Sequence, residues 1–238
     1  MNRFVRHVPA RLAASLIATA LIAPATLHAQ VGHRPDRSPY EDLKTGQNVS
    51  VSAGWLAVRR DPANVAPNAS PFAAVRYDIA IGGPAAFYAR YAFAPSERRL
   101  LLPTNPKSTR QIGTPSVKTH IADVGLDLAL TGKKTWHRLS PSVTGGVGLA
   151  SDFTAADTGA YKFGTRFAFT YGFAMRYFTR SGIALRADAT NHTWQYQYPD
   201  RYFVQASDGT AILTDTRKRS AYRGNWGVSA GVSLPLFR

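Results

Sequence analysis

The sequence has no cysteine, few acidic residues and, beyond its first thirty positions, no long apolar run. Without cysteine among its 238 residues, the chain forms neither a disulfide framework nor a thiolate metal site or nucleophile. No segment after Gln30 approaches the about 20 consecutive apolar residues of a membrane-spanning helix, which excludes an α-helical membrane protein. The 14 acidic residues are outnumbered by 29 basic ones, and the net charge is +15. Such a charge indicates an anionic partner, either nucleic acid or a charged surface.

The first 29 residues have the pattern of a secretion signal. Basic residues precede the short apolar segment Ala13–Ala23, and the small residue Ala29 stands at the position before cleavage. We therefore expect residues 1–29 to be a signal peptide and the mature chain to start at Gln30. Export argues against nucleic acid as a partner and favours the phosphate-rich outer surface of a Gram-negative bacterium.

A two-residue alternation of apolar and polar side chains runs through the rest of the chain. Phe87, Ala89, Tyr91 and Phe93 fall on one face of their segment, whereas the charged Arg90 falls on the other. An antiparallel barrel that crosses lipid, polar inside and apolar outside, requires this pattern. Eight segments carry it, and each is long enough to cross a bilayer as a tilted strand of about 9–11 residues. They are Gln47–Val58, Phe72–Gly82, Ala86–Ala94, Val117–Leu130, Leu139–Ala150, Phe163–Phe178, Ile183–Trp194 and Tyr222–Phe237.

The connections between these segments alternate in length. The long ones are Arg59–Ser70, Pro95–Ser116, Ser151–Tyr161 and Gln195–Ala221, and the short ones are Gly82–Ala85, Thr131–Arg138 and Thr179–Gly182. Membrane barrels have long external loops and short periplasmic turns. The sequence thus predicts an all-β, eight-stranded, antiparallel up-and-down transmembrane barrel over residues 47–238, with both termini periplasmic and residues 30–46 as a periplasmic lead-in.

The last long connection contains a hairpin signal. Tyr202–Ala206 and Thr210–Thr214 flank the turn sequence Ser207-Asp208-Gly209. Both arms are too short to cross a membrane, so we expect a protruding extracellular hairpin. A barrel of ten strands is the alternative.

Charged residues fall on the inward phase of the predicted strands. An outward arginine at the bilayer midplane would cost about 2–4 kcal/mol, which is large against a net stability of about 5–15 kcal/mol. The predicted lumen network comprises Arg76, Asp78, Arg90, Asp123, Asp127, Arg166, Arg176, Arg186 and Asp188. Its near-balanced charges favour a plugged interior of interlocked ion pairs, and an ion path through the same charges is the alternative. Eight strands leave no room for a wide pore.

Small residues on the same phase support a filled lumen. In strand interiors, glycine makes room for large neighbours. The inward glycines are Gly125, Gly146, Gly148, Gly172, Gly227 and Gly231.

Aromatic side chains collect near the ends of the strands, as in the two interfacial girdles of a membrane barrel. We assign Trp55, Tyr91, Phe93, Phe163, Phe167 and Trp226 to the outer girdle. Tyr177 and Trp136 are assigned to the periplasmic one.

The external loops are basic. Arginine forks match phosphate geometry, so we expect contacts with lipopolysaccharide phosphates or other anionic surface polymers. An ordinary solvated basic loop explains the same residues equally well. The candidates for anionic contacts are Arg98, Arg99, Lys107, Arg110, Arg217, Lys218 and Arg219, and Arg59 and Arg60 lie in the first long loop.

The inward arginine and aspartate pattern, together with the order of short turns and long loops, resembles the small eight-stranded outer-membrane barrels of the OmpA transmembrane domain and OmpX type. The resemblance covers Gln47–Arg238. It implies contact with outer-membrane lipid and lipopolysaccharide, insertion by the barrel-assembly machinery, and a monomer. Family barrels commonly end in an aromatic residue, whereas Phe237 stands one position before the end of this chain.

Some barrels of this size modify lipid A, so an enzyme has to be weighed. The only candidate for a catalytic base is His192, which is followed by Thr193 and could act with Ser220 or Asp188 elsewhere in the chain. His120 has no such neighbours in the sequence. The histidines show no metal spacing, and no helix follows the glycines at 145–148 to make a nucleotide loop. We therefore expect no catalytic residue, cofactor or metal. The predicted function is a structural or surface-interaction role, with a narrow channel for ions or small hydrophobic molecules as the alternative and a lipid A-modifying enzyme as the third hypothesis.

Overall fold

A computed structural model describes residues 38–43 and 46–237. The predicted signal peptide and most of the predicted lead-in lie outside these residues. The strands are β1 (Tyr40–Asp42), β2 (Gln47–Ala57), β3 (Ser70–Gly82), β4 (Ala85–Glu97), β5 (Leu100–Leu101), β6 (Gln111–Gly113), β7 (Ser116–Ala129), β8 (Lys134–Trp136), β9 (Leu139–Ser151), β10 (Thr165–Phe178), β11 (Ala184–Gln197) and β12 (Ser220–Phe237). Two short 3-10 helices span Asp200–Phe203 and Thr216–Arg219.

Eight of the strands form a closed antiparallel barrel. They pair in the order β2-β3-β4-β7-β9-β10-β11-β12, and β12 pairs back onto β2, with Val232 opposite Val51. The prediction of an eight-stranded, up-and-down all-β barrel is confirmed, and the ten-stranded alternative is wrong. Within the described residues, no helix is long and apolar enough to cross a membrane.

The barrel is apolar outside and polar inside. On the outer face, Phe173 and Val228 are 62% and 60% exposed, whereas the inward Asp127 and Asn225 are 1% and 0% exposed. A barrel that folds in water buries its apolar face instead. The observed arrangement suits a barrel whose outer face contacts the hydrocarbon of a membrane and whose polar interior is closed off from it.

The two ends of the barrel differ. We call the end with the turns after β3, β7 and β10 the turn end, and the end with the loops at residues 58–69, 98–115, 152–164 and 198–219 the loop end. Several strands reach further toward the loop end than the alternation predicted: β4 continues to Glu97 and β11 to Gln197. The added residues matter because they enclose a second layer of the lumen, described below.

Part of the predicted lead-in is a strand. β1 pairs antiparallel with β8 in the turn before β9, with Tyr40 opposite Trp136. Glu41 approaches Arg138 at 3.6 Å. Sequence alone gave no sign of this pairing, because a three-residue strand is too short to show alternation.

The predicted hairpin in the last loop takes another form. A turn at 206–210 is present, since Ala206 N–H donates to the Thr210 carbonyl at 3.0 Å, but its arms are not strands. Tyr202 is fully buried and Leu213 is 5% exposed. The segment therefore folds inward over the barrel and does not protrude as predicted, because these two apolar side chains find a core there.

Candidate functional site: the filled lumen and the loop-end surface

An ion-pair network occupies the turn-end half of the lumen. Arg76 donates from Nε and Nη2 to Asp78 Oδ1 at 2.9 and 2.7 Å, and from Nη2 to Asp127 Oδ2 at 2.7 Å. Arg76 and Asp78 are two residues apart on β3, so the strand's own period puts them on one face. Asp127 arrives from β7, two strands away around the barrel.

A second arginine approaches the same carboxylate from β11. Arg186 donates from Nε and Nη2 to Asp188 at 2.8–3.0 Å, and from Nη2 to Asp127 Oδ2 at 3.2 Å. Its Nη1 lies 3.8 Å from Asp78 Oδ2. Three carboxylates and two guanidinium groups are thus joined across the barrel, and all five are buried.

A third pair sits beside Tyr88. Arg90 donates to Asp123, with an Nη2 to Oδ2 distance of 2.6 Å, and to the Thr190 hydroxyl at 3.1 Å. The Tyr88 ring lies 3.9 Å from the guanidinium carbon of Arg76 and 5.9 Å from that of Arg90. Its hydroxyl is 3.2 Å from that of Thr170. Tyr88 was not among the predicted site residues, although the alternation of β4 placed it on the charged face.

Arg166 and Arg176 do not join these pairs. Arg166 lies on the inward phase but at the loop end, where it donates to the backbone of Phe163 and Lys162 and to Gln197 Oε1. Its prediction as a network member needs correcting, because the strand end carries it beyond the carboxylates. Arg176 is buried in the lumen, but its Nε has no partner among the described residues.

The ion pairs leave almost no free space between them. A cavity of about 10 Å³ lies among Arg76, Arg90, Arg186 and Asp188, which is room for about one water molecule. The glycine Gly146 faces Tyr88: a Cβ there would lie 2.7 Å from the tyrosine hydroxyl. Packing of Tyr88 against glycine, together with the charged side chains, therefore closes the middle of the lumen.

An apolar layer fills the loop-end half of the lumen. Trp194 and Tyr196 continue the inward phase of β11, and Phe163 packs between them with ring centroids at 6.1 and 5.9 Å. Phe163 is fully buried, so its assignment to the outer girdle is wrong. The loop before β10 turns it into the barrel. Among the other predicted outer-girdle residues, Trp55, Tyr91, Phe167 and Trp226 are exposed on the outer face, and Phe93 is half-buried.

Three tyrosines from two loops cover this layer. The rings of Tyr161, Tyr198 and Tyr202 stack pairwise at centroid distances of 6.2–6.3 Å. Tyr198 donates its hydroxyl to Asp61 Oδ2 at 2.7 Å. Burial raises the pKa of all three hydroxyl groups above the ordinary value. Asp61 also accepts from the backbone N–H of Ala63 and Ala66, so it anchors the first loop to the stack.

The loops are tied to one another. Arg98 donates to Asp157 Oδ2 at 2.6 Å and is 4% exposed. Arg110, also buried, donates to the Thr210 carbonyl and hydroxyl at 2.8 and 2.7 Å. Arg98 and Arg110 are therefore not available to a surface anion, and the prediction needs correcting for both. In each case the loop fold supplies an internal acceptor that the sequence could not reveal.

The other predicted basic residues remain at the surface of the loop end. Lys107 and Arg99 are exposed, as are Arg217 and Lys218. Arg219 is exposed too, with Nη2 2.7 Å from Asp200 Oδ1. Arg59 and Arg60 are exposed in the first loop. The structure thus leaves these seven cations on the surface of the loop end, where Lys162 and Arg201 are exposed as well.

The two histidines weighed for catalysis, His192 and His120, lie on opposite faces of the barrel wall. His192 points inward, is buried, and has Nδ1 3.7 Å from Asp123 Oδ2, while Thr193 lies on the opposite face of β11 and donates to Asn191. His120 faces outward, where its Nδ1 is 2.6 Å from the Tyr91 hydroxyl. Among the described residues, no group of three or more histidine, cysteine or acidic side chains could hold a metal ion.

A closed antiparallel barrel with ion pairs inside and apolar side chains outside is a transmembrane β-barrel. The architecture of the small eight-stranded barrels, inferred above by resemblance to the OmpA transmembrane domain and OmpX, is confirmed at the level of the fold.

No protein-family model and no curated protein matches the chain. Among solved structures, it is similar to the Yersinia pestis outer membrane protein Ail in a phospholipid bilayer nanodisc, with 12% identity over 79% of this chain and 99% of that one and a TM-score of 0.37. It is also similar to the crystal structure of Ail, the attachment invasion locus protein of Yersinia pestis, with 12% identity, coverage of 80% and 99%, and a TM-score of 0.38. The structure of that protein in complex with the heparin analogue sucrose octasulfate gives 13% identity, coverage of 79% and 99%, and a TM-score of 0.35. These TM-scores are low, and the fold assignment rests on the strand pairing of this chain.

Proposed function

We propose that this chain is a non-enzymatic barrel of the Gram-negative outer membrane that holds a rigid basic surface against the phosphate groups of lipopolysaccharide. The observation that carries the proposal is the division of its cations. Most of those in the lumen, and Arg98 and Arg110 in the loops, bond internally, while nine others are exposed in the four long loops. A filled lumen supports a role at the surface over a role in transport.

The outer face supports the membrane placement. Apolar side chains cover it between two aromatic zones, with Trp55 and Phe167 toward the loop end and Tyr177 and Trp136 toward the turn end. Spin labels at Val228 and Leu126 should be reached by lipid-soluble quenchers, whereas a label at the inward Ser229 should be shielded. The opposite pattern would overturn the membrane placement.

The ties between loops support a preformed binding surface. Ordering flexible loops on binding costs free energy, so a surface already held in shape binds more tightly. The links from Arg98 to Asp157, from Arg110 to Thr210 and from Tyr198 to Asp61 join all four long loops. The exposed arginines thus stand on a fixed base, where their planar forks suit phosphate.

A charge-neutralising pair tests the surface. Arg217→Gln with Lys218→Gln removes two exposed cations that form no described ion pair. Lys134→Gln with Arg180→Gln removes two exposed cations at the turn end and is the matched control. We expect the loop-end double variant to bind purified lipopolysaccharide more weakly than the wild type does, both proteins being solubilised in detergent. The difference should be larger at low salt, where exposed charges are less screened. Equal binding by both double variants would count against this surface.

The channel and enzyme hypotheses have separate tests. Because the ionic and apolar layers fill the lumen, planar-bilayer recordings should show no steady conductance; a stable open level would favour the channel. Lipid A from cells with and without the protein should carry the same acyl chains. A lost or added chain that depends on the protein would favour the enzyme.

A further inference from the structure

We propose a second binding site at the turn end of the lumen, where Arg176 faces a cavity shaped for a small carboxylate with a short apolar group. The site is at the opposite end of the barrel from the proposed basic surface and does not depend on it. Arg176 differs from Arg76, Arg90 and Arg186, which pair with aspartates in the lumen.

Arg176 has unused donors. Arg76, Arg90 and Arg186 each donate to at least one carboxylate, whereas Arg176 forms no ion pair within residues 46–237, and its Nε has no hydrogen-bond partner. It is 7% exposed. The ring of Phe178 lies 5.9 Å from its guanidinium carbon. A buried guanidinium with free donors is costly unless an anion or water satisfies it.

A neighbouring donor is also unsatisfied. Ser140 lies directly opposite Arg176 on β9. Its side chain is fully buried, and its hydroxyl has no partner among the described residues. Two unpaired donors therefore lie side by side on the inner wall.

Arg176 lines a cavity of about 370 Å³ that opens at the turn end. This is the lower part of the usual range for small-molecule sites, about 300–1,000 Å³. Lys133 lines it as an exposed second cation. Asp78 lines it too, but its carboxylate is already held by Arg76. The rest of the lining combines an apolar part, which includes Leu43, Ala80, Ala85 and Ala129, with the polar Asn48 and the glycines of the turns.

The surroundings favour a carboxylate over a phosphate. Arginine binds a carboxylate through two parallel hydrogen bonds, and a single negative charge is repelled less by Asp78 than the double charge of phosphate. The apolar wall then accommodates a short alkyl group. The rival explanation for Arg176 is that it only balances charge, because the three aspartates of the network (Asp78, Asp127 and Asp188) outnumber Arg76 and Arg186 by one.

Titration of the reconstituted full-length chain with acetate and butyrate separates the two explanations. The readout is the NMR signal of the Arg176 Nε–H group. We expect a saturable shift with both anions, with butyrate saturating at lower concentration because its alkyl group meets the apolar wall. Shifts that grow linearly for both anions, or butyrate no tighter than acetate, would overturn the proposal.

Three variants localise the effect. Arg176→Gln should weaken binding by about tenfold or more, the loss expected for charge-assisted hydrogen bonds, as read from the backbone amide signals of Gly83, Ala85 and Ala86. Lys134→Gln, which removes a turn-end charge away from the cavity, should leave binding unchanged. Ala129→Leu keeps Arg176 but fills the cavity, so it should abolish binding even if Arg176→Gln does not fold. Undiminished binding in the folded Ala129→Leu protein would leave charge balance as the only role of Arg176.

Discussion

Arg76 donates from Nη2 to Asp127 Oδ2 at 2.7 Å, although their strands, β3 and β7, are separated by β4. The bond therefore crosses the lumen and does not join two neighbouring strands. The same carboxylate oxygen also accepts from Arg186 at 3.2 Å. Asp127 is therefore the point at which three parts of the barrel wall are joined through its interior.

Replacing Asp127 with asparagine should destabilise the barrel strongly. The change leaves two buried guanidinium groups short of negative charge, and breaking a buried ion pair from one side costs about 3–5 kcal/mol. Urea unfolding in lipid vesicles measures the free energy of unfolding. Asp42→Asn, at an exposed carboxylate 4.0 Å from Lys134, is the control and should change it by less than about 0.5 kcal/mol. Equal effects would show that the network contributes nothing specific.

Two substitutions of Tyr88 separate its ring from its hydroxyl. Tyr88→Phe keeps the ring 3.9 Å from Arg76 and removes only the hydrogen bond with Thr170, so we expect a loss of about 1 kcal/mol. Tyr88→Leu also removes the cation–π contact, which contributes about 2 kcal/mol when desolvated. The free energy of unfolding, measured in the same way, should be highest for the wild type, lower for Tyr88→Phe and lowest for Tyr88→Leu. A leucine variant as stable as the phenylalanine variant would contradict a role for the ring.

Neighbouring glycines on β9 provide a paired test of the filled lumen. A Cβ on Gly146 would collide with the Val124 carbonyl and lie 2.7 Å from the Tyr88 hydroxyl, whereas a Cβ on Gly145 would meet nothing within 4 Å. Gly146→Ala should therefore destabilise the barrel by about 1–3 kcal/mol. Gly145→Ala should cost less than about 0.5 kcal/mol. If both variants unfold at the same urea concentration, the inner face is less tightly packed than described.

The contact between the second and fourth long loops should survive to low pH. The backbone N–H of Lys107, together with the hydroxyl and N–H of Thr210, lowers the pKa of Asp208 to about 2. Because this pKa is lower in the folded chain than in the unfolded one, the ionised carboxylate stabilises the fold at any pH above the unfolded-state pKa. That contribution is lost as the pH falls toward 2. The amide signal of Lys107 should stay constant from neutral pH to about 4 and shift below that. In Asp208→Asn the shift should be absent; a wild-type transition centred near 4 would contradict the assignment.

The sequence alone determined the strands and their faces, because a period of two is a local property that each segment carries by itself. It placed Arg76, Asp78, Arg186 and Asp188 inward, and the spacing of two in each pair could have predicted their bonding. The same period, continued past the predicted end of the seventh strand, would have placed Tyr196 inside as well.

Tertiary structure decided which side chains meet, because contacts across the lumen and between loops depend on barrel closure and loop shape. Only closure brings Asp127 to Arg76 and Arg186, and leaves Arg176 without an ion pair among the described residues. Only the loop fold buries Arg98 against Asp157 and Phe163 against Trp194 and Tyr196. Charge and alternation are read along the chain, whereas partners are set by distances that residues far apart in sequence acquire on folding.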